Sequence, residues 1–347
     1  MITRRSFIAG LAGAAAATII PSPEAVAQVF GRYDVPDQLL ALYLLNQSKV
    51  GLPLGSAYAV TGGLKQPFAN ADMYFSSSTK ASIILGKLKS AYDGAGGPAK
   101  LGLPIGVEAV SSTYSARTQG MSHARIWWSS AEGAKVVKDT KTVRLKGAKN
   151  FRDVAGEGGG ISVRGGHMRR GFVYRSSALG STTKMDRYIM QTLGIGTMIR
   201  LSPSGTPSIS GIVSKHYGIT NPSSQTLAEK QAMYRGYVTN SSNRASIGRT
   251  VNYIAGSSKP VVFQCLRGWD RSGWVSAVIQ DLLGASSSTI MTEFLKSNSY
   301  LGSGVRHEYL DAARSAMRSR YGTVTRYANA CGVSSATITK LRQKLIV

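Results

Sequence analysis

The sequence predicts an α/β protein: a mostly parallel sheet covered by helices, with a small N-terminal repeat domain ahead of it. From residue 141 onward, strand-like and helix-like patterns alternate, which is the arrangement of a sheet wrapped by crossover helices. Residues 45–140 repeat themselves, and a period of about fifty residues marks modules that share their cores with their neighbours. The apolar run "KPVVFQ" (259–264) leads straight into "CLRGWDRS" and then a helix, a strand-end to helix-start junction of the kind where ligands of such sheets sit. At 347 residues and 43% hydrophobic content, the chain can supply a core for each of two domains.

Residues 1–27 read as a removable export signal. Paired Arg4 and Arg5, Phe7, an Ala-rich run and Ala25-Val26-Ala27 give the charged, apolar and small-residue parts in order. "TRRSFIA" resembles the twin-arginine signal, which implies export of a folded protein to a secreted location. The apolar run is shorter than a membrane span, and no later segment is long and uncharged enough to replace it.

The formal charge of +25 favours anionic partners. The basic residues are spread along the chain, with no zinc-finger pattern and no RNA-binding aromatic motif, so nucleic acid is disfavoured as a partner. Two cysteines, Cys265 and Cys331, are too few for a disulfide framework; they can pair with each other, but a reduced functional thiol fits the surroundings of Cys265 better.

In residues 28–140, "VGLPLG" (50–55) recurs as "LGLPIG" (101–106), and "ADMYFSSSTKASIIL" (71–85) as "ARIWWSSAEGAKVVK" (124–138), the second pair at a spacing of 53. Tyr74-Phe75 and Trp127-Trp128 fall in register and are read as core packing ahead of ligand contact. These units resemble LGFP repeats, although Leu52 and Leu103 stand at the name-giving Phe. The resemblance implies attachment to a cell-wall polymer through residues 28–140.

In residues 141–347, "GGHMRRGFVYRSS" offers a short strand ending at Arg175-Ser176, and "TTKMDRYIMQTLGIGTMIRLS" a helix, a turn and a strand. "SGWVSAVIQDLLG" reads as a helix closed by Gly284, and Ser334 or Ser335 caps a final helix with Ile338, Leu341 and Leu345 on its apolar face. "GEGGG" (156–160) lacks the Lys-Ser/Thr ending of a phosphate loop and reads as a turn.

Between the strand and the helix, the backbone N–H groups of Leu266, Arg267, Gly268, Trp269 and Asp270 can converge on one anion, with the helix dipole behind them. The same geometry stabilises a thiolate at Cys265. Arg271 supplies a planar bidentate guanidinium, Gly268 lets the loop turn tightly, and Ser272 can donate a hydrogen bond to the departing sulfur. The chemistry assembled is phosphoryl transfer through a covalent intermediate with neither metal nor other cofactor. His123, His167, His216 and His307 show no ligand spacing.

A Cys, five residues, an Arg and then a Ser is similar to the signature of the protein-tyrosine phosphatase superfamily. "NFRDVAG" (150–156), "RRGFVYRSSAL" (169–179) and "ACGVSSATITKLRQKL" (330–345) resemble its bacterial branch, which includes secreted mycobacterial tyrosine and lipid phosphatases. The resemblance implies the cysteine-dependent phosphatase fold, Cys265 as nucleophile, Arg271 as phosphate clamp, and Asn150, Arg152, Asp153 and Arg175 framing the site as substrate-binding residues. It implies a phosphotyrosine protein as substrate; the inner "GWDR" matches the loop of myotubularin-type enzymes and adds phosphoinositides. Gln264 stands where many members have His, Arg200 where an Asp is frequent, and Ser202 where an Arg is frequent. Asp270 is the preferred general acid and Asp153 the second. The same departures keep open a domain that binds phosphate or wall material without turnover.

Overall fold

The computed structural model describes residues 31–202 and 208–347. The expected export signal lies outside the described residues. Two compact units divide between Asp139 and Thr140.

The first unit opens with helices α1 (Asp37–Leu44) and α2 (Gln47–Val50), followed by an antiparallel meander of β1 (Tyr58–Val60), β2 (Gly63–Pro67), β3 (Ala71–Phe75) and β4 (Ser82–Leu85). Helices α3 (Gly86–Gly94) and α4 (Gly97–Leu101) lead to a second meander of β5 (Ala109–Ser111), β6 (Ala116–Gly120), β7 (Arg125–Ser129) and β8 (Gly133–Val137). Corresponding positions fill two cores: Leu39, Tyr43, Val50, Phe68, Ala71 and Met73 in one, Leu88, Tyr92, Leu101, Met121, Ala124 and Ile126 in the other. Tyr74 and Trp127 are fully buried, whereas Phe75 and Trp128 are half-buried, Trp128 lying under the Arg117 guanidinium. Gln66 donates to the carbonyls of Asp34 and Gly55, and Gln119 likewise to Ile83 and Gly106. A buried amide at the same place in each meander thus ties its Gly-Leu-Pro turn to the chain that precedes it.

The second unit begins with β9 (Arg152–Asp153), the hairpin β10 (Ser162–Val163) and β11 (Gly166–His167), and β12 (Val173–Ser176). Then come α5 (Lys184–Thr192), β13 (Thr197–Arg200), β14 (Val213–His216), α6 (Leu227–Thr239), α7 (Ser241–Gly256), β15 (Val261–Gln264) and α8 (Arg271–Leu282). Helices α9 (Ser287–Leu295), α10 (Ser297–Leu301), α11 (His307–Tyr321), α12 (Val324–Ala330) and α13 (Ser335–Leu345) complete the chain. The sheet order is β14-β13-β15-β12-β9, parallel throughout except for the antiparallel edge strand β9. β15 is buried along its whole length, as a central parallel strand requires, and α8 is buried at every residue but Asp281. One core joins strand residues Val173, Ile199, Val261 and Phe263 to Tyr234, Val251, Trp274, Leu310, Tyr327 and Leu341 of the helices. Ser334 caps α13 through a bond from the Thr337 N–H. Among the described residues no helix is long and apolar enough to cross a membrane.

Candidate active site

β15 delivers Cys265 to the carboxyl end of the sheet, and α8 starts six residues later at Arg271. The connecting loop is fixed from behind. The Asn150 amide donates to the carbonyls of Gly268 (2.9 Å) and Arg267 (3.3 Å), and Arg175 donates to Gly268 (2.7 Å) and Trp269 (3.4 Å). Because a peptide's N–H points opposite to its C=O, drawing these three carbonyls to one side turns the following N–H groups of Gly268, Trp269 and Asp270 to the other. Gly268 has φ +70°, and a Cβ there would stand 2.5 Å from the Ser176 carbonyl carbon and the Ser177 nitrogen, so a side chain is excluded both by conformation and by space.

A cavity of about 440 Å³ opens on this face. Cys265, Leu266, Arg267, Trp269, Asp270 and Arg271 of the loop line it together with Asn221 to Thr226, Lys230, Gly304 and Tyr309. The Cys265 side chain is almost wholly buried, and both cysteines are free. Arg271 is anchored by its Nε on the Ile219 carbonyl (2.8 Å). The Ser272 hydroxyl is buried and has no hydrogen-bond partner among the described residues.

Asn150, Arg152, Asp153 and Arg175, expected to touch substrate, do not line this cavity. Asn150 and Arg175 lie beneath the loop and aim its peptides. Arg152 stands one layer further back, donating to Asn150 Oδ1, the Glu293 carbonyl (3.1 Å) and Ser297 Oγ (3.0 Å), with its guanidinium over the Tyr300 ring. Burial pulls Arg175 well below the usual guanidinium range and the neighbouring Arg152 adds to this; attraction to Cys265 works against both. Two buried cations therefore sit behind the anion-facing side of the loop.

Asp153 belongs to a separate cleft with Lys141, Thr142, Glu157 and Tyr300. Its carboxylate accepts from the N–H groups of Ala155 (2.9 Å) and Gly171 (2.5 Å), closing the turn after β9. That placement removes Asp153 as an acid for chemistry at Cys265. Asp270 does line the cavity, with Oδ1 accepting from Tyr234 Oη (2.9 Å) and Oδ2 from Lys230 Nζ (3.1 Å). Gln264 and Ser202 are buried and Arg200 half-buried at the ends of neighbouring strands; none of them lines the cavity.

Lys230, Tyr234 and Tyr309 escaped the sequence reading. Thr226 and Glu229 form a capping box at the start of α6, and Lys230 and Tyr234 follow at a spacing of four, so their shared helix face was readable; their approach to a loop some forty residues away was not.

Residues 143–347 match the family model described as "Tyrosine phosphatase family". Among curated proteins, the Triple specificity protein phosphatase PtpB of Mycobacterium tuberculosis is 23% identical over 278 residues, covering 58% of this chain and 98% of that one. The core catalytic domain of the PP-IP phosphatase SIW14 from S. cerevisiae aligns with a TM-score of 0.32 and 15% identity over 51% of this chain and 96% of its own. OH1 from the Orf virus, a tyrosine phosphatase, aligns with a TM-score of 0.20 and 14% identity over 52% and 86%.

Proposed function

The chain belongs to the tyrosine phosphatase family and is a phosphoric monoester hydrolase, and on that premise we propose that it works through a cysteinyl-phosphate on Cys265. The observation that carries this reading is the one-sided loop: carbonyls of Arg267, Gly268 and Trp269 drawn back by Asn150 and Arg175, amides turned toward the cavity, and Cys265 at its floor. Those amides, the α8 N-terminus and the buried guanidiniums favour the phosphoryl oxygens of a bound substrate.

In this reading the substrate's phosphoryl group sits on the loop amides, and Arg271, held at Nε, presents its remaining N–H groups to two equatorial oxygens. Cys265 Sγ attacks phosphorus as the ester oxygen departs; water then releases phosphate and regenerates the thiolate. The unpartnered Ser272 hydroxyl supports a bond to the sulfur as it leaves. The ion pair of Lys230 with Asp270 lines the same cavity and supplies the proton that the leaving oxygen takes.

A phosphotyrosine protein or a phosphoinositide is the substrate we favour. The relative's description as a triple specificity protein phosphatase supports a phosphoprotein, and the cations Arg267 and Lys230, both packed on the Trp269 ring, support a headgroup bearing more than one phosphate. We further assign residues 1–27 to twin-arginine export and residues 28–140 to attachment at the cell wall, on the paired Gly-Leu-Pro turns, where Leu52, Leu54 and Ile105 are exposed.

The test is hydrolysis of a phosphotyrosine peptide and a phosphoinositide panel by the mature protein under reducing conditions, beside Cys265→Ser. Turnover by wild type alone, blocked by vanadate and indifferent to EDTA, is expected. Turnover surviving in Cys265→Ser would sink the mechanism.

A further inference from the structure

Lys230 lines the cavity beside the thiol loop, on a helix whose start is fixed by the Thr226 and Glu229 capping box. Its Nζ lies 3.1 Å from Asp270 Oδ2, 5.6 Å from the centre of the Trp269 ring and 6.0 Å from that of Tyr309. The two aromatic faces attract the ammonium, and with Asp270 they confine it at the cavity surface. Asp270 is itself committed. Tyr234 is wholly buried, and burial first and the Asp270 charge second push its phenol well above the ordinary range, so it remains the donor to Oδ1. With Oδ1 bound to Tyr234 and Oδ2 to Lys230, the carboxylate accepts on both oxygens and has no proton to hand on. The guanidiniums of Arg267 and Arg271 do not release theirs. Lys230 has three N–H bonds, of which Asp270 takes one.

We propose that Lys230 is the catalytic proton donor to the leaving oxygen, with Asp270 its ionised anchor and Tyr234 the positioning residue that holds Asp270. The proposal rests on the cysteinyl-phosphate reading. As Cys265 Sγ bonds to phosphorus, the bond to the ester oxygen breaks with its electron pair on oxygen, and that oxygen takes a proton from Lys230 Nζ. The neutral amine stays bonded to Asp270. In the second step it removes a proton from water as the water oxygen attacks phosphorus, and the S–P bond breaks with its pair on sulfur. Ammonium and thiolate are both restored.

The experiment compares two esters: phenyl phosphate, whose leaving group needs a proton, and p-nitrophenyl phosphate, whose anion leaves without one. Wild type, Lys230→Met, Lys230→Arg, Asp270→Asn, Tyr234→Phe and Cys265→Ser are assayed as full chains, with thermal melting as the check on folding. Lys230→Met should lose about 10²-fold or more in kcat on phenyl phosphate and less than about tenfold on p-nitrophenyl phosphate, as expected of a missing general acid. Lys230→Arg keeps the charge and the pair with Asp270 but yields no proton, so it should show the same split. Tyr234→Phe should show a smaller loss with the same split. Equal losses on the two esters, or recovery of phenyl phosphate turnover in Lys230→Arg, would reduce Lys230 to an electrostatic contact and overturn the proposal. A split in Asp270→Asn with none in Lys230→Met would transfer the proton to Asp270. Turnover in Cys265→Ser breaks the underlying mechanism instead, whatever Lys230 does.

Discussion

Asp153 shows how one residue can carry a family's motif and serve the fold. Its carboxyl is buried between β9 and the turn at Gly171, and desolvation pushes its pKa up to about 7 against the bonds from the Gly171 and Ala155 N–H groups and the charges of Arg170 and Lys141. An unfolded aspartate titrates near ~3.9. The folded value lies above the unfolded one, so the protonated form is favoured by folding. Its contribution is fully present below about pH 4 and is lost as pH rises through about 7. Urea unfolding of the wild type should show a component of stability that declines across that window, and Asp153→Asn should flatten it. An unchanged slope would mean that the carboxyl stays ionised in the folded protein. Turnover per folded molecule should change little in the same variant, since Asp153 lies outside the cavity of Cys265.

At the scale of elements, the site is a junction of three pieces. β15 and α8 were legible because their signals are local: Pro260 to Phe263 form a continuous apolar run leading into the loop, and the loop with Gly268 breaks into a helix that ends just before Gly284. β14 was not legible, since all of Val213 to His216 are exposed and the strand exists through its pairing with β13. The family resemblance set Asn150, Arg152 and Arg175 around the phosphate, yet which side of the loop they occupy is set by the parallel pairing of β12 with β15, a tertiary fact. The third piece, α6, brings Lys230 and Tyr234 to the cavity and depends on its cap. Thr226 Oγ1 accepts from the Glu229 N–H, and the Glu229 carboxylate returns to the N–H groups of Thr226 and Gln225. Thr226→Ala should therefore cost about 1 kcal/mol in urea unfolding, with most of it restored in Thr226→Ser. Hydrogen exchange localises the effect: the first turn of α6 should lose protection while α8 keeps its own. Equal loss in both helices would show that Thr226 acts through the whole unit and not through the cap.

At the scale of the molecule, the two units have separate hydrophobic cores, Tyr74 and Ile126 belonging to one set of side chains and Phe263 and Trp274 to another. All of the residues that line the thiol cavity come from the second unit. A unit with its own core and its own site should fold and work alone. Residues 140–347, expressed without the rest, should then keep kcat/KM on a soluble phosphotyrosine peptide within about twofold of the mature chain, as independent units allow. The charge of +25 makes the complementary measurement salt-dependent. If residues 28–140 attach the enzyme to the wall, the mature chain should pellet with purified wall material and stay bound at an ionic strength that releases the isolated second unit, because specific attachment adds to a charge attraction that salt screens. Equal release of the two by salt would assign wall retention to charge alone. A fragment that folds but loses turnover would show that the first unit shapes the site as well as locating it.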